Sequence, residues 1–187
     1  MSRFEELAAL VTEVQKTEHR YMLHGPRHDP VVTPWMPYRP ADFVSIIWEC
    51  LPELITGCCF LDVGCGPGTK MQIARDLFGL SVSGLEIDAE MAKLAAGIGH
   101  VACIDASEFK AYQFYDLIWL YRPFRDARLE YELEKRITGQ MKPGAILAGS
   151  SWETDPGALG WQPVVDDCLL SPDGRNSIIQ GAWQKLK

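Results

Sequence analysis

Cys59-Phe60-Leu61-Asp62-Val63-Gly64-Cys65-Gly66-Pro67-Gly68 is the stretch on which the reading of this 187-residue chain turns. The run 59–63 is apolar apart from Asp62 and short enough to be a buried strand. Glycines at 64, 66 and 68 stop it, because they permit torsions and close approaches that a Cβ would block. A helical pattern over 69–78 follows, with Gly79 placed to end it. A strand, a glycine turn and a helix are therefore expected in immediate succession.

Downstream the same alternation repeats. Strands are predicted over 82–87, 101–104, 115–120 and 145–148. Helices are predicted over 89–96, ended by Gly97, and through Leu129, Leu133, Ile137 and Met141, which recur at spacings of four. Strands alternating with helices of about ten residues imply a parallel sheet covered on both faces, because right-handed crossovers place the helices there. The last segments, 164–170 and 177–183, flank Ser171-Pro172-Asp173-Gly174-Arg175 and read as a terminal antiparallel hairpin.

Upstream, Phe4, Leu7, Ala8, Leu10, Val11 and Val14 lie at helical spacing opposite Glu5, Glu6, Glu13 and Lys16, an amphipathic helix suited to cover another element. Five prolines between His24 and Pro40 keep that stretch extended, as an arm or lid. Asp42 is placed to cap a helix carrying Phe43, Val44, Ile46 and Ile47, which Pro52 should end. No linker or repeat divides the chain, so one domain over 1–187 is expected, with an N-terminal extension (1–56), a ligand-binding core (57–150) and a C-terminal hairpin (151–187).

Hydrophobic residues make up 47 % of the chain and charged residues 23 %, the proportions of a packed globular domain. The net charge of −7, with no stretch concentrating Lys and Arg, disfavours nucleic acid as a partner. No window resembles a membrane span. The opening Met1-Ser2-Arg3-Phe4-Glu5-Glu6 lacks the basic-then-apolar order of a signal peptide, so a cytoplasmic location is expected. The six cysteines, none spaced as Cys-x-x-Cys, read as reduced, small core residues. His24 and His28 are separated by Gly25 and Pro26 and cannot share a helical face, so no metal site is expected around them and His19.

Ligands of open α/β sheets bind beyond the carboxyl ends of the strands, which directs attention to the glycine loop. Asp62 at the strand end can hold that loop or a ligand's cationic group. Glu86 ends the next strand 22 residues after Gly64 and suits a carboxylate accepting both hydroxyls of a ribose. Thr69 stands where a dinucleotide fingerprint would have a later glycine, which makes a nicotinamide-dependent oxidoreductase the weaker reading. Gly68-Thr69-Lys70 also lacks the Gly-Lys-Ser/Thr order of a phosphate-binding loop.

Over roughly residues 60–149 the chain resembles the class I S-adenosylmethionine-dependent methyltransferases. Leu61-Asp62-Val63-Gly64-Cys65-Gly66-Pro67-Gly68 is similar to the family's first motif, Gly84-Leu85-Glu86-Ile87-Asp88 to its ribose-binding strand end, and Ile104-Asp105-Ala106 to its adenine site. Tyr115-Asp116-Leu117-Ile118 and Met141-Lys142-Pro143-Gly144 resemble later strands of the same fold. The resemblance implies a Rossmann-like, doubly wound, mostly parallel seven-stranded sheet whose last strand is antiparallel. It implies S-adenosyl-L-methionine as cofactor, with Gly64, Cys65, Gly66 and Gly68 bedding its methionine portion and Asp62 near the ammonium. Glu86 would then take the ribose, Ile87 would flank the adenine, and Asp105 with Ala106 would meet its edge.

Tyr121-Arg122-Pro123-Phe124 follows the fourth strand where amino-methylating relatives carry Asn-Pro-Pro-Phe/Tyr. The departure argues against adenine methylation of nucleic acid and leaves a small molecule or protein side chain as the expected acceptor. Tyr121, Arg122 and, from the proline-rich arm, Tyr38 are the candidate catalytic residues. A catalytically silent, nucleoside-binding partner subunit is the alternative from another functional class.

Overall fold

In the computed structural model, which describes residues 3–22, 39–54, 57–150, 154, 157–170 and 177–186, the run 59–63 is β1 (Cys59–Val63). It pairs in parallel with β2 (Ser81–Glu86) on one side and with β4 (Leu117–Tyr121) on the other. Its side chains alternate between two cores, as the period of a strand requires. Phe60 joins Val14, Phe43, Ile47, Met71 and Trp119 on one face, while Leu61 and Val63 join Leu85, Ile118, Leu133 and Ile137 on the other.

The first face is covered by α1 (Arg3–Met22), α2 (Pro40–Cys50) and α3 (Thr69–Phe78). Phe43 of α2 sets its ring edge-on to Trp119, with centroids 4.9 Å apart, and to Phe60 at 6.1 Å. The second face is covered by α5 (Ala127–Gln140), through Leu133 and Ile137, and by Tyr112 from a short 3₁₀ turn. Between β2 and β3 (His100–Cys103) runs α4 (Ala89–Ala95), capped by Asp88, whose carboxylate accepts from the amides of Glu90 and Met91.

The sheet has seven strands in the order β3-β2-β1-β4-β5-β7-β6. Here β5 is Ile146–Ser150, β6 is Gln162–Leu170 and β7 is Ser177–Gln184. The parallel strands run outward from β1 to β3, then restart at β4 on the other side of β1. The strand order therefore reverses between β1 and β4, and a crevice opens there at their carboxyl ends. The expected terminal hairpin is β6 and β7, and β7 inserts antiparallel between β5 and β6.

The expected architecture holds, with strand and helix ends displaced by one to a few residues. Two details differ. Arg39, not Asp42, occupies the N-cap position of α2, because Pro40 fixes the first helical φ; Asp42 lies in the first turn, 3.6 Å from the Arg39 guanidinium. Cys103 is exposed and Cys59 half-buried, since they lie at the ends of β3 and β1; Cys50, Cys58 and Cys65 are buried. The arm is described only from Arg39 onward, so Tyr38 lies outside the described residues. Cys50, Cys58, Cys59, Cys65 and Cys103 are free thiols, and no described helix is long and apolar enough to cross a membrane.

Gly149 of β5 sits at φ +150 beside Leu120, and a Cβ built there would lie 1.8 Å from the Leu120 carbonyl oxygen. That oxygen belongs to a central strand and cannot withdraw. Gly149→Ala should therefore lower folding stability by on the order of 3 kcal/mol, as a urea unfolding curve would read; an unchanged midpoint would refute the packing described.

Candidate functional site

The loop after β1 turns through three left-handed glycines, Gly64 (φ 75), Gly66 (φ 54) and Gly68 (φ 85). The amides of Gly64 and Cys65 both donate to the Leu85 carbonyl at 2.9 Å, and the Gly66 amide donates to Glu86 Oε2 at 2.7 Å. These bonds fasten the loop across the carboxyl end of β2. The glycines serve different ends. A Cβ on Gly68 would strike Ala95 and Ile98 at 3.0 and 2.8 Å, so Gly68 lets α3 pack on α4. A Cβ on Gly64 would lie 3.6 Å from Pro123, which brings the loop after β4 against the loop after β1. The Cys65 side chain turns into the core beneath Gly84, and burial pushes its thiol well above the ordinary range, so it is chemically inert.

Asp62 is fully buried, and neither carboxylate oxygen has a hydrogen-bond partner among the described residues. The Lys70 ammonium stands 3.9 Å from Oδ2, within ion-pair range but beyond hydrogen-bond range. Burial raises the Asp62 pKa to about 6, with Lys70 pulling it down and the Glu86 charge pushing it up. An unsatisfied buried carboxylate at a strand end is costly, and a cationic donor placed against it would relieve the cost. Glu86 is satisfied differently: Oε2 accepts from Gly66 and Oε1 from the Asp88 amide at 2.9 Å. Burial raises its pKa while these backbone donors lower it. Each oxygen keeps a further lone pair for a ligand hydroxyl.

Ile87, next along the chain, is 46 % exposed, unusual for so large an apolar side chain and suited to the face of a planar ligand. The loop after β3 is drawn to the same edge by the Ile104 amide, which donates to the Glu86 carbonyl at 3.0 Å. There the half-buried Asp105 accepts from the Ser107 amide at 2.8 Å, and Ala106 is buried with its carbonyl accepting from the Tyr112 hydroxyl at 2.9 Å. Asp62, Gly64, Gly66, Glu86, Ile87, Asp105 and Ala106 thus lie along one edge, on the loops and strand ends of β1, β2 and β3.

Of the acceptor-side candidates, Tyr121 ends β4 half-buried against the first core, and Arg122 is exposed in a left-handed conformation at φ 41, a strained torsion for a side chain of this size. Phe124 is buried in the second core. Glu18, Glu130 and Glu134 escaped the sequence reading. Glu130 of α5 accepts from the Phe124 amide at 3.0 Å, and Glu134 accepts from the amide and hydroxyl of Thr154, each at 2.6 Å. One turn apart, they fasten the loops that follow β4 and β5. Their signal was present: charged residues at helical spacing within the stripe of Leu133 and Ile137. Glu18 likewise falls four residues after Val14 on the apolar face of α1.

The fold has clear likenesses among solved structures. An RNA methyltransferase from Salinibacter ruber, in complex with S-adenosyl-L-homocysteine, matches 81 % of this chain and 95 % of its own, with a TM-score of 0.60 and 17 % identity. Magnesium protoporphyrin IX methyltransferase from Synechocystis PCC 6803, with S-adenosylmethionine bound, matches 78 % of each chain at a TM-score of 0.58 and 15 % identity. The sugar N-methyltransferase KedS8 from Streptoalloteichus matches 63 % of this chain and 50 % of its own, at a TM-score of 0.52 and 18 % identity. The chain thus spans about half the length of KedS8, and 46 % of the plantazolicin methyltransferase BpumL, as compared with nearly all of the Salinibacter protein. No protein-family model and no curated protein sequence matches the chain. These likenesses show the fold: it is that of the class I S-adenosylmethionine-dependent methyltransferases.

The state of Asp62 has a measurable signature. Its folded pKa, about 6, lies above the ordinary value of 3.8, so its neutral form is favoured by folding. That contribution is complete below pH 4 and is lost as pH rises through 6, amounting to at most about 3 kcal/mol. Relative to the wild type, Asp62→Asn should therefore become progressively more stable between pH 4 and 7 in denaturant titrations. Parallel pH profiles for the two proteins would contradict the buried, unsatisfied carboxylate.

Proposed function

We propose that this protein is an S-adenosylmethionine-dependent methyltransferase acting on a small molecule or a protein side chain. One observation carries the reading: at the point where strand order reverses, an unsatisfied buried carboxylate, Asp62, and a second carboxylate, Glu86, flank a backbone cradle of left-handed glycines. The residues fit a zwitterionic nucleoside. Asp62 would face the ligand's ammonium, Glu86 the ribose hydroxyls, Ile87 the adenine face and Asp105 its amino group. Bound there, S-adenosylmethionine would supply a methyl group already activated by its sulfonium charge.

The chain's own task is to place an acceptor atom and exclude water. The loop 121–124 borders the glycine loop through Pro123, so Tyr121 and Arg122 would stand on the acceptor side; Tyr38 lies outside the described residues. The likeness to an RNA methyltransferase is one of fold. The charge of −7 and the Tyr-Arg-Pro-Phe sequence weigh toward an acceptor other than nucleic acid.

Thermal melting with S-adenosylhomocysteine, NAD and NADP separates the classes. At about a hundred times its dissociation constant the first should stabilise by roughly 2.7 kcal/mol, and a shift with the nicotinamides instead would replace this reading with an oxidoreductase. Binding without turnover on a broad acceptor panel would leave a silent nucleoside-binding subunit. Calorimetry then tests the ribose contact. Glu86→Ala should weaken S-adenosylhomocysteine by at least about tenfold, and the wild type's preference over the 2′-deoxy analogue should vanish in the variant. A preference that survives the substitution removes Glu86 from the ribose.

A further inference from the structure

At the start of α3 lies another buried carboxylate, supplied from far away in the chain. Glu18 of α1 is 6 % exposed, and its Oε1 accepts from the Thr69 hydroxyl at 3.0 Å. Thr69 and Lys70 open α3 directly after the glycine loop, and both are buried. The N-cap of that helix is Gly68, which has no side chain to offer its first-turn amides. Lys70 stands 3.9 Å from Asp62 and also attracts the Glu18 carboxylate. Asp62 and Glu18 thus both draw on one ammonium, and with Glu86 also acting on Asp62 the buried carboxylates outnumber it.

We infer that Glu18 is a specificity-determining positioning residue: through α1 it gives the nucleoside pocket a surplus negative charge that selects ligands bearing an ammonium on the arm attached to sulfur. The inference rests on the cofactor reading above and deepens it. Lys70 offsets only one of the buried carboxylates: Asp62 feels the Glu86 charge as well, and Glu18 draws on the same ammonium. By competing for Lys70, Glu18 leaves Asp62 less neutralised and so favours a cationic arm over a neutral one more strongly. A ligand ammonium on Asp62 relieves that competition and leaves Lys70 free to hold Glu18, so the same event draws α1 down on α3. The helix is already committed to that surface by Val14, which is fully buried in the first core four residues earlier.

Three ligands isolate the effect: S-adenosylhomocysteine, its decarboxylated form S-adenosyl-3-thiopropylamine, and 5′-methylthioadenosine, which carries neither ammonium nor carboxylate. In the wild type, calorimetry should show the amine binding at least about tenfold more tightly than methylthioadenosine. Hydrogen exchange in Arg3–Met22 should slow with the amine and with S-adenosylhomocysteine but not with methylthioadenosine. Glu18→Gln keeps an acceptor for Thr69 and removes only the charge. It should reduce the amine's advantage by about fivefold, leave methylthioadenosine unchanged and abolish the ligand-driven slowing in α1. An unchanged ratio in Glu18→Gln, or an equal loss for all three ligands, would overturn the inference and leave Glu18 a structural cap. If the wild type binds none of the three, the cofactor reading itself fails and the inference falls with it.

Discussion

The Glu86 carboxylate receives the Gly66 amide at 2.7 Å and the Asp88 amide at 2.9 Å, and the site depends on that pair of bonds. Without them the glycine loop would have its amides of Gly64 and Cys65 tied to Leu85 but its apex loose. With them, the loop after β1, the end of β2 and the cap of α4 become one rigid edge, since Asp88 goes on to cap that helix. A group that both shapes a loop and keeps lone pairs for a ligand is hard to replace. Its substitution removes support and contact together, which is why the ribose test needs two ligands instead of one.

The price of this arrangement in stability is visible at three carboxylates. Burial raises the pKa of Asp62, Glu86 and Glu18 alike, and in each the opposing influences fall short of the desolvation. Only Asp62 among them lacks any hydrogen-bond donor from the described residues. Natural sequences tolerate such conflict where function requires it, and here the conflict clusters within reach of the loop that closes the crevice. A merely structural turn would not need it, since glycines and backbone bonds suffice to join a strand to a helix.

Much of this was legible because the signals are local. The apolar run 59–63, the glycine stop and the 3.6-residue stripe after it are each set by neighbours within a few positions, and the structure has β1, the loop and α3 where those signals put them. Glu86 was legible because the spacing of a strand, a helix and a strand is nearly fixed. What stayed hidden depends on distance. Glu18 meets Thr69 across 51 residues of chain, and nothing local distinguishes it from the exposed Glu13 of the same helix except its place in the apolar stripe. The cap of α2 was misassigned for the opposite reason: Asp42 is a good capping residue, but Pro40 two positions earlier starts the helix first.

The acceptor side shows the same division between what repeats across a fold and what one chain adds. The cofactor edge is built from β1, β2 and β3, whose loops are short and tied to the sheet. The opposite side is built from the loops after β4 and β5, and α5 governs both: Glu130 holds the Phe124 amide, and Glu134 holds Thr154. Two buried carboxylates one helical turn apart couple these loops to a single rigid element, so a change in α5 would move both together. Glu130 accepts from a backbone amide and Glu134 from the amide and hydroxyl of Thr154, so both carboxylates tie loop to helix. On the proposed reading, acceptor choice would then fall to the side chains on those loops, the exposed Arg122 first among them. The left-handed torsion at Arg122, between the strand-ending Tyr121 and the buried Phe124, sets the direction in which its Cα–Cβ bond leaves the chain.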